Sequence, residues 1–337
     1  MTTPVRIALL GAGRIGRLHA ELISRRVPGA ALAGVFDLVD AAADEVAAEF
    51  GCRRYASAAE AHADPEADAV AICTSTDTHV DALVEAAAAG KPIFCEKPLS
   101  LDLAEVDRAL AAVEAAGVPL LVGFNRRFDP SHAAVRRAVE DGSVGEVHLV
   151  RITSRDPAPP PLEYIRVSGG IFRDMTIHDF DMARFVTGSD VVEVHATGAV
   201  RVDPAIGEAG DLDTVVVVLT HADGTITTID NSRRAVYGYD QRVEVFGSGG
   251  MAASDNPLVH TTTVRDADGA RQATLPWFFI ERYIPSYVAE WEAFVAMVRD
   301  GVPSPVDGRD GRAPLVMGLA ALRSVAEGRP VRCEEIG

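Results

Sequence analysis

Two segments far apart in the chain carry side chains that make chemical sense together. One is Glu96-Lys97-Pro98; the other is Gly169-Gly170-Ile171-Phe172-Arg173-Asp174-Met175-Thr176-Ile177-His178-Asp179. An ammonium group such as that of Lys97 favours the oxyanion formed when a hydroxyl loses its proton. An imidazole, here His178, is the natural acceptor of that proton near neutral pH. Asp174 stands at i and His178 at i+4, which are neighbours on one helical face. The spacing predicts a helix over 174–187 that presents carboxylate and imidazole together. Gly169-Gly170 lets the backbone make an unusual approach just before it. Such a set can help move a proton and a hydride off a polyol. Asp179 falls on another face and is expected in an ion pair, whereas Asp181 is placed to steady the His178 ring from behind. A metal site would need Asp174, His178 and Asp181 together, a sparse set, and no metal is expected.

A hydride needs an acceptor. Gly11-Ala12-Gly13-Arg14-Ile15-Gly16 follows a strand and opens a helix. Gly11, Gly13 and Gly16 suit a tight turn, close backbone approach to a pyrophosphate and close helix–strand packing, with Arg14 and Ile15 at the helix start facing the phosphates. Asp37 ends the second strand, roughly 20 residues on, where a carboxylate binds the adenosine ribose hydroxyls and repels a 2′-phosphate. Leu38 and Val39 supply no arginine, so NAD is expected rather than NADP. Thr74 and Ser75 lie just past the fourth strand, within reach of the ribose and nicotinamide side of the cofactor. His79 reads equally as a cofactor contact or a helix-start packing residue. Lys97 is expected beside the nicotinamide, on a strand end that Pro98 can fix through a cis or a trans bond. Glu96 either orients Lys97 or contacts the cofactor.

The elements that must position these groups follow from the apolar pattern. Strand and helix signals alternate through Phe124: strands at 5–10, 31–36, 52–55, 69–73, 92–95 and 119–124, helices at 15–26, 40–50, 78–89 and 103–116. This predicts a doubly wound parallel sheet, a Rossmann α/β domain, over 1–124. Beyond it the pattern turns β-rich, with strands at 146–153, 191–200, 214–220, 225–231 and 242–246 and a tight hairpin at Ala222-Asp223-Gly224. Helices are expected at 174–187, 287–299 and 313–327. Residues 125–337 therefore form an α+β domain on a largely antiparallel open sheet. Pro157-Ala158-Pro159-Pro160-Pro161 reads as a stiff connector.

Bulk properties exclude several classes. A net charge of -17 argues against a nucleic-acid backbone or an anionic membrane as partner. No apolar stretch is long enough to span a bilayer, and Met1-Thr2-Thr3-Pro4 leads directly into a strand. Cys52, Cys73, Cys95 and Cys333 are scattered without a C-x-x-C pair and read as free thiols, so a reducing cytoplasm is expected.

At these residues the chain resembles the Gfo/Idh/MocA oxidoreductase family over nearly its whole length. The resemblance rests on Gly11-x-Gly13-x-x-Gly16, the 74–79 segment, Glu96-Lys97-Pro98, Gly123-Phe124-Asn125-Arg126-Arg127-Phe128 and the 169–181 segment. The last, with Asp156-Pro157-Ala158-Pro159-Pro160 and Tyr237-Gly238-Tyr239-Asp240-Gln241-Arg242, is similar to the inositol 2-dehydrogenase branch of that family. The resemblance implies Lys97, Asp174 and His178 as the catalytic set. It places Asn125, Arg127, Asp156 and Tyr237 in the substrate cleft, where arginine and tyrosine equally serve packing. It further implies assembly into homotetramers through the second-domain sheet and oxidation of myo-inositol to scyllo-inosose with NAD. Dehydrogenation of another inositol isomer or an aldose, NAD-using glycoside hydrolysis and NAD-sensing regulation stand as alternatives.

Overall fold

The computed structural model describes residues 3–337, so the first two residues of Met1-Thr2-Thr3-Pro4 lie outside the described residues. The chain packs into two compact units. The first takes the residues through Asn125 together with Tyr287–Ala313, and the second takes Arg126–Ser286 and Pro314–Gly337. A single boundary after residue 124 did not foresee the return of 287–313. Its cause is packing: Trp291 stacks on Phe94 at 4.5 Å between ring centroids, and Phe294 meets Phe94 edge-on at 5.9 Å. The carbonyl of Val306 also accepts the N–H of Val122 at 3.0 Å.

In the first unit six strands are β1 Val5–Leu10, β2 Ala30–Phe36, β3 Arg53–Arg54, β4 Ala69–Ile72, β5 Ile93–Glu96 and β6 Leu120–Gly123. They form one parallel sheet in the order β3-β2-β1-β4-β5-β6. Every residue of β4, β5 and β6 is buried, as expected where helices cover both faces. The strand order reverses between β1 and β4, and ligands of such sheets bind outside the carboxyl ends of the strands at that point.

In the second unit the strands are β7 Val147–Arg155, β8 Val191–Ala199, β9 Thr214–His221, β10 Ile226–Ser232, β11 Asp240–Gly247, β12 Gly250–Ser254, β13 Thr263–Asp266, β14 Gly269–Gln272 and β15 Val331–Arg332. Seven of them make an open sheet in the order β12-β11-β7-β10-β9-β8-β15, antiparallel except for the parallel β7–β10 pair, while β13 and β14 form a separate hairpin. The expected hairpin joins β9 to β10, with Gly224 at φ +90°. One sheet face is covered: Val150, Ile152, Val217, Ile229 and Val245 pack in one core with Val135, Phe180, Val186 and Met317 from helices. The alternate residues of the same strands point away, and Leu149, Val216, Val218, Ile226, Phe246 and Met251 are exposed.

The expected helix over 174–187 is two pieces, Ile171–Asp174 and Ile177–Thr187. Thr176 makes the break. Its buried hydroxyl donates to Asn231 Oδ1 on β10 at 2.6 Å, and the Ile171 carbonyl is taken by the N–H groups of both Met175 and Thr176. A side chain that finds a partner off the helix competes with the regular ladder. Asp174 and His178 therefore sit on opposite sides of a turn, not on one continuous helical face.

Candidate active site

In the first unit the glycine loop is laced to the end of β2. Gly11 N–H donates to the Phe36 carbonyl at 2.8 Å, and Ala12 N–H donates to Asp37 Oδ2 at 2.6 Å. Asp37 Oδ1 accepts from Val39 N–H at 2.8 Å, so each carboxylate oxygen holds one backbone donor and keeps a free lone pair. Gly11 lies at φ +99°, and a Cβ there would meet the Cys73 carbonyl oxygen at 2.4 Å. A Cβ on Gly16 would strike the Gly11 carbonyl oxygen at 2.0 Å, whereas one on Gly13 meets nothing within 4 Å. The first and third glycines are thus required by packing. The second leaves open space against bare backbone, at the start of the helix Arg14–Arg25, with Arg14 exposed and Ile15 half-buried beside it. This cradle fits a dinucleotide: among the described residues the space over Gly13 at the helix N-terminus is open to a pyrophosphate.

Past β4, the Thr78 hydroxyl donates to Thr74 Oγ1 at 2.7 Å, while Ser75 is exposed. His79 is buried, its Nδ1 at 2.8 Å from the Pro98 carbonyl and its Nε2 at 3.1 Å from the Thr74 carbonyl. Burial holds its pKa below the ordinary histidine value. Of the two expectations for His79, this geometry matches packing: the ring ties the loop after β4 to the loop after β5. Lys97 is half-buried at the end of β5, and the Lys97–Pro98 bond is cis. Glu96 Oε1 lies 2.8 Å from His19 Nε2, and Glu96 Oε2 accepts the Lys97 N–H at 3.2 Å. Asn125 is buried just after β6, and its amide nitrogen has no hydrogen-bond partner among the described residues.

In the second unit Gly169 and Gly170, at φ +89° and +80°, bring the chain against Asp211. A Cβ on Gly170 would meet Asp211 Oδ1 at 2.7 Å, the atom that accepts the Ile171 N–H at 2.9 Å. Asp174 is held on both oxygens: Tyr164 Oη donates at 2.9 Å and Arg233 Nη1 at 3.3 Å. Arg233, 1% exposed, also reaches Asp211 at 3.3 Å. His178 is half-buried in the first turn of the helix Ile177–Thr187. Asp156 is half-buried and its pKa is pushed up to about 7 by burial, against the pull of Arg233 and with the push of Asp174. Asp179 pairs with Arg126 at 2.9 Å and accepts further bonds from Ser154 and Asn231, which bears out the expected ion pair.

Comparison with known proteins decides the family. Residues 5–124 match the model of an oxidoreductase family with an NAD-binding Rossmann fold, and residues 132–253 match the GFO/IDH/MocA C-terminal domain. The chain belongs to the Gfo/Idh/MocA oxidoreductase family. It is 49% identical to the myo-inositol 2-dehydrogenase of Thermotoga maritima over 98% of this chain and 99% of that protein. It is 51% identical to the inositol 2-dehydrogenase of Rhizobium meliloti over 97% of this chain and 98% of that protein. The crystal structure of scyllo-inositol dehydrogenase from Lactobacillus casei with bound NAD(H) and scyllo-inositol superposes with a TM-score of 0.92 at 27% identity, covering 98% of this chain and all of that one.

The first unit, matching the NAD-binding Rossmann model, supplies the cofactor's seat. Gly11, Gly13, Asp37, Thr74 and Lys97 fall on the loops after β1, β2, β4 and β5, with Glu96 closing β5 and Gly16 in the first turn of the helix after β1, all at the carboxyl edge of the parallel sheet. In the second unit Asp156, Asp174 and Arg233 share one electrostatic neighbourhood. Two residues have partners that the sequence does not mark. Arg127 grips Asp181 with a bidentate guanidinium, at 2.6–3.1 Å, so Asp181 is bound from the arginine's side and Arg127 spends donors on it. Tyr237 is exposed, donates to Asp240 at 2.7 Å and accepts from Arg155 at 3.1 Å. Arg233, Asp211 and His19 were not found by motif. Their partners are 22 to 272 residues away, and no local spacing marks them.

Proposed function

We propose that this chain is an NAD-dependent inositol 2-dehydrogenase that oxidises the C2 hydroxyl of myo-inositol to the ketone, giving scyllo-inosose, NADH and a proton. The observation that carries this is near-full-length identity of about half to two proteins that bear that activity in their names. His178 accepts the hydroxyl proton. Lys97 stabilises the oxyanion that develops on the same oxygen. Asp174, fixed by Tyr164 and Arg233, accepts a hydrogen bond from a neighbouring hydroxyl. NAD, when bound, takes the hydride from the carbinol carbon. The unsatisfied amide of buried Asn125 and the raised carboxyl of Asp156 suit a hydroxyl-rich ligand, which offers both donors and acceptors. Arg127 and Tyr237 shape the substrate side through Asp181 and Asp240.

The assembly we assign is a homotetramer. The exposed row Leu149, Val216, Val218, Ile226, Phe246 and Met251 is an apolar sheet face of the kind that a second copy covers. No helix among the described residues is long and apolar enough to cross a membrane, and a cytoplasmic enzyme fits the four free cysteines.

The test is a panel of myo-, scyllo- and chiro-inositol and aldoses with NAD, read at the NADH absorbance, with the product identified. Turnover of myo-inositol to its 2-ketone is expected. Lys97→Ala and His178→Ala should each lower kcat by about 10²-fold or more while NAD still binds. Preference for scyllo-inositol, the ligand of the Lactobacillus casei structure, would move the assignment to that isomer. Absence of net NADH would remove the dehydrogenase reading.

A further inference from the structure

We propose that His19, locked by Trp291, is a positioning residue for Lys97, acting through Glu96. The relay lies within the first unit. The Trp291 indole N–H donates to His19 Nδ1 at 2.9 Å, and His19 Nε2 lies 2.8 Å from Glu96 Oε1. An indole nitrogen only donates, so Nδ1 must be the bare, accepting nitrogen. The ring proton therefore sits on Nε2 and is donated to Glu96. The other oxygen of that carboxylate receives the backbone N–H of Lys97 at 3.2 Å. Two strong acceptor directions of one carboxylate are thus pinned, one to the helix Arg14–Arg25 behind the glycine loop and one to the root of the lysine.

The surroundings leave the relay little freedom. His19 and Trp291 are fully buried and Glu96 is 8% exposed. The imidazole meets Phe94, Trp291 and Tyr287 edge-on at 5.2–5.6 Å between centroids, so its plane is fixed on several sides. On the far side of Glu96, a Cβ on Gly123 would lie 3.1 Å from Oε2, so β6 closes against the carboxylate. An aromatic box of this kind around a single charge-assisted hydrogen bond does more than fill space. It sets the rotamer of Glu96, and with it where the main chain turns to present Lys97. Glu96 thereby orients Lys97 instead of serving first as a cofactor contact.

This inference rests on Lys97 acting in the proposed oxidation, and two kinds of readout keep the questions apart. In the full-length protein labelled with ¹⁵N-histidine, His19 should show one tautomer, a bare Nδ1 and a protonated Nε2, whatever the enzyme's substrate. Trp291→Phe removes the indole donor to Nδ1 and frees that nitrogen to take a proton beside Glu96, so the single-tautomer signature should be lost. In kinetics, His19→Ala should lower kcat by about 10²-fold, the scale expected when a reacting group is displaced by about an ångström, with NAD dissociation constant and polyol KM within a few-fold of wild type. His19→Gln, which can place an amide donor near the Nε2 position, should recover most of that loss. If His19→Ala does not fold, Trp291→Phe carries the kinetic arm, with a smaller kcat defect in the same pattern. A protonated Nδ1 in the wild type, wild-type kcat in His19→Ala, or equal defects in His19→Ala and His19→Gln would each overturn the proposal. A wild type that turns over no polyol but keeps the single tautomer would instead overturn the function and with it the role given to Lys97.

Discussion

At the scale of single residues, the chemistry follows from which lone pairs and donors each group has left. Asp37 keeps one lone pair per oxygen after binding Ala12 and Val39, which suits the role proposed for it, accepting from ribose hydroxyls and repelling a phosphate. Asp37→Ser should therefore narrow the preference for NAD over NADP by about tenfold or more, read as the ratio of kcat/KM for the two cofactors; an unchanged ratio would place discrimination elsewhere. Asp156 makes a separate prediction through its titration. Its folded pKa of about 7 lies above the ordinary 3.8, because burial disfavours the charge. The unfolded state thus releases its proton first as pH rises, and stability from this group is full below about pH 4 and lost by about pH 7. Glu290 is fully buried, neither of its oxygens has a hydrogen-bond partner among the described residues, and burial raises its pKa in the same direction. Asp156→Asn and Glu290→Gln should each gain in Tm relative to the wild type as pH is raised from mildly acidic to neutral. A difference that is flat or of opposite sign across that window would show that these carboxyls ionise normally.

At the scale of elements, most strands were legible and the helix breaks were not. Continuous apolar runs such as Ala69–Ile72 and Leu120–Gly123 announce strands buried on both faces, and the alternation in Thr214–His221 announces one with a single covered face. The helix Pro130–Glu140 had a readable start in Asp129-Pro130, with Asp129 capping the N–H groups of Ser131 and His132, but its short apolar stripe does not stand out. The helix Phe279–Asp300 begins before Pro285, a residue that in sequence argues for a later start. The break at Thr176 is of another kind, since its cause, Asn231, is 55 residues away. The element carrying Asp179 depends on the buried Arg126–Asp179 pair. Arg126→Leu should lower stability by about 3–5 kcal/mol, because it strands a buried carboxylate, and adding Asp179→Leu should return part of that loss. Urea unfolding of the two variants measures it; additive losses would mean that the pair does not act as one.

At the scale of the whole molecule, the exposed apolar face of the second sheet is the surface on which the proposed assembly rests. If the proposed tetramer forms through this face, charged substitutions there, Val216→Lys together with Phe246→Glu, should shift the particle toward smaller species in light scattering without loss of secondary structure. A wild type that is monomeric at micromolar concentration would refute the assembly. The return of 287–313 to the first unit also belongs to this scale. It places Trp291 against Phe94 and His19, residues nearly 200 and more than 270 positions earlier, so that truncation after residue 286 would remove core from the first unit.

The sequence alone marked the nucleotide-binding loop, the NAD-binding Rossmann fold and the candidate residues Asp37, Lys97, Asp174 and His178, because each depends on residue types at short fixed spacing or on a strand or helix period. Tertiary structure alone decided the partners: Arg233 and Tyr164 on Asp174, Arg127 on Asp181, and Trp291 on His19. Those pairings join residues 10 to 272 positions apart. A hydrogen bond needs its two atoms within about 3 Å. That proximity is created by packing of the sheets and helices, and local periodicity carries no record of it.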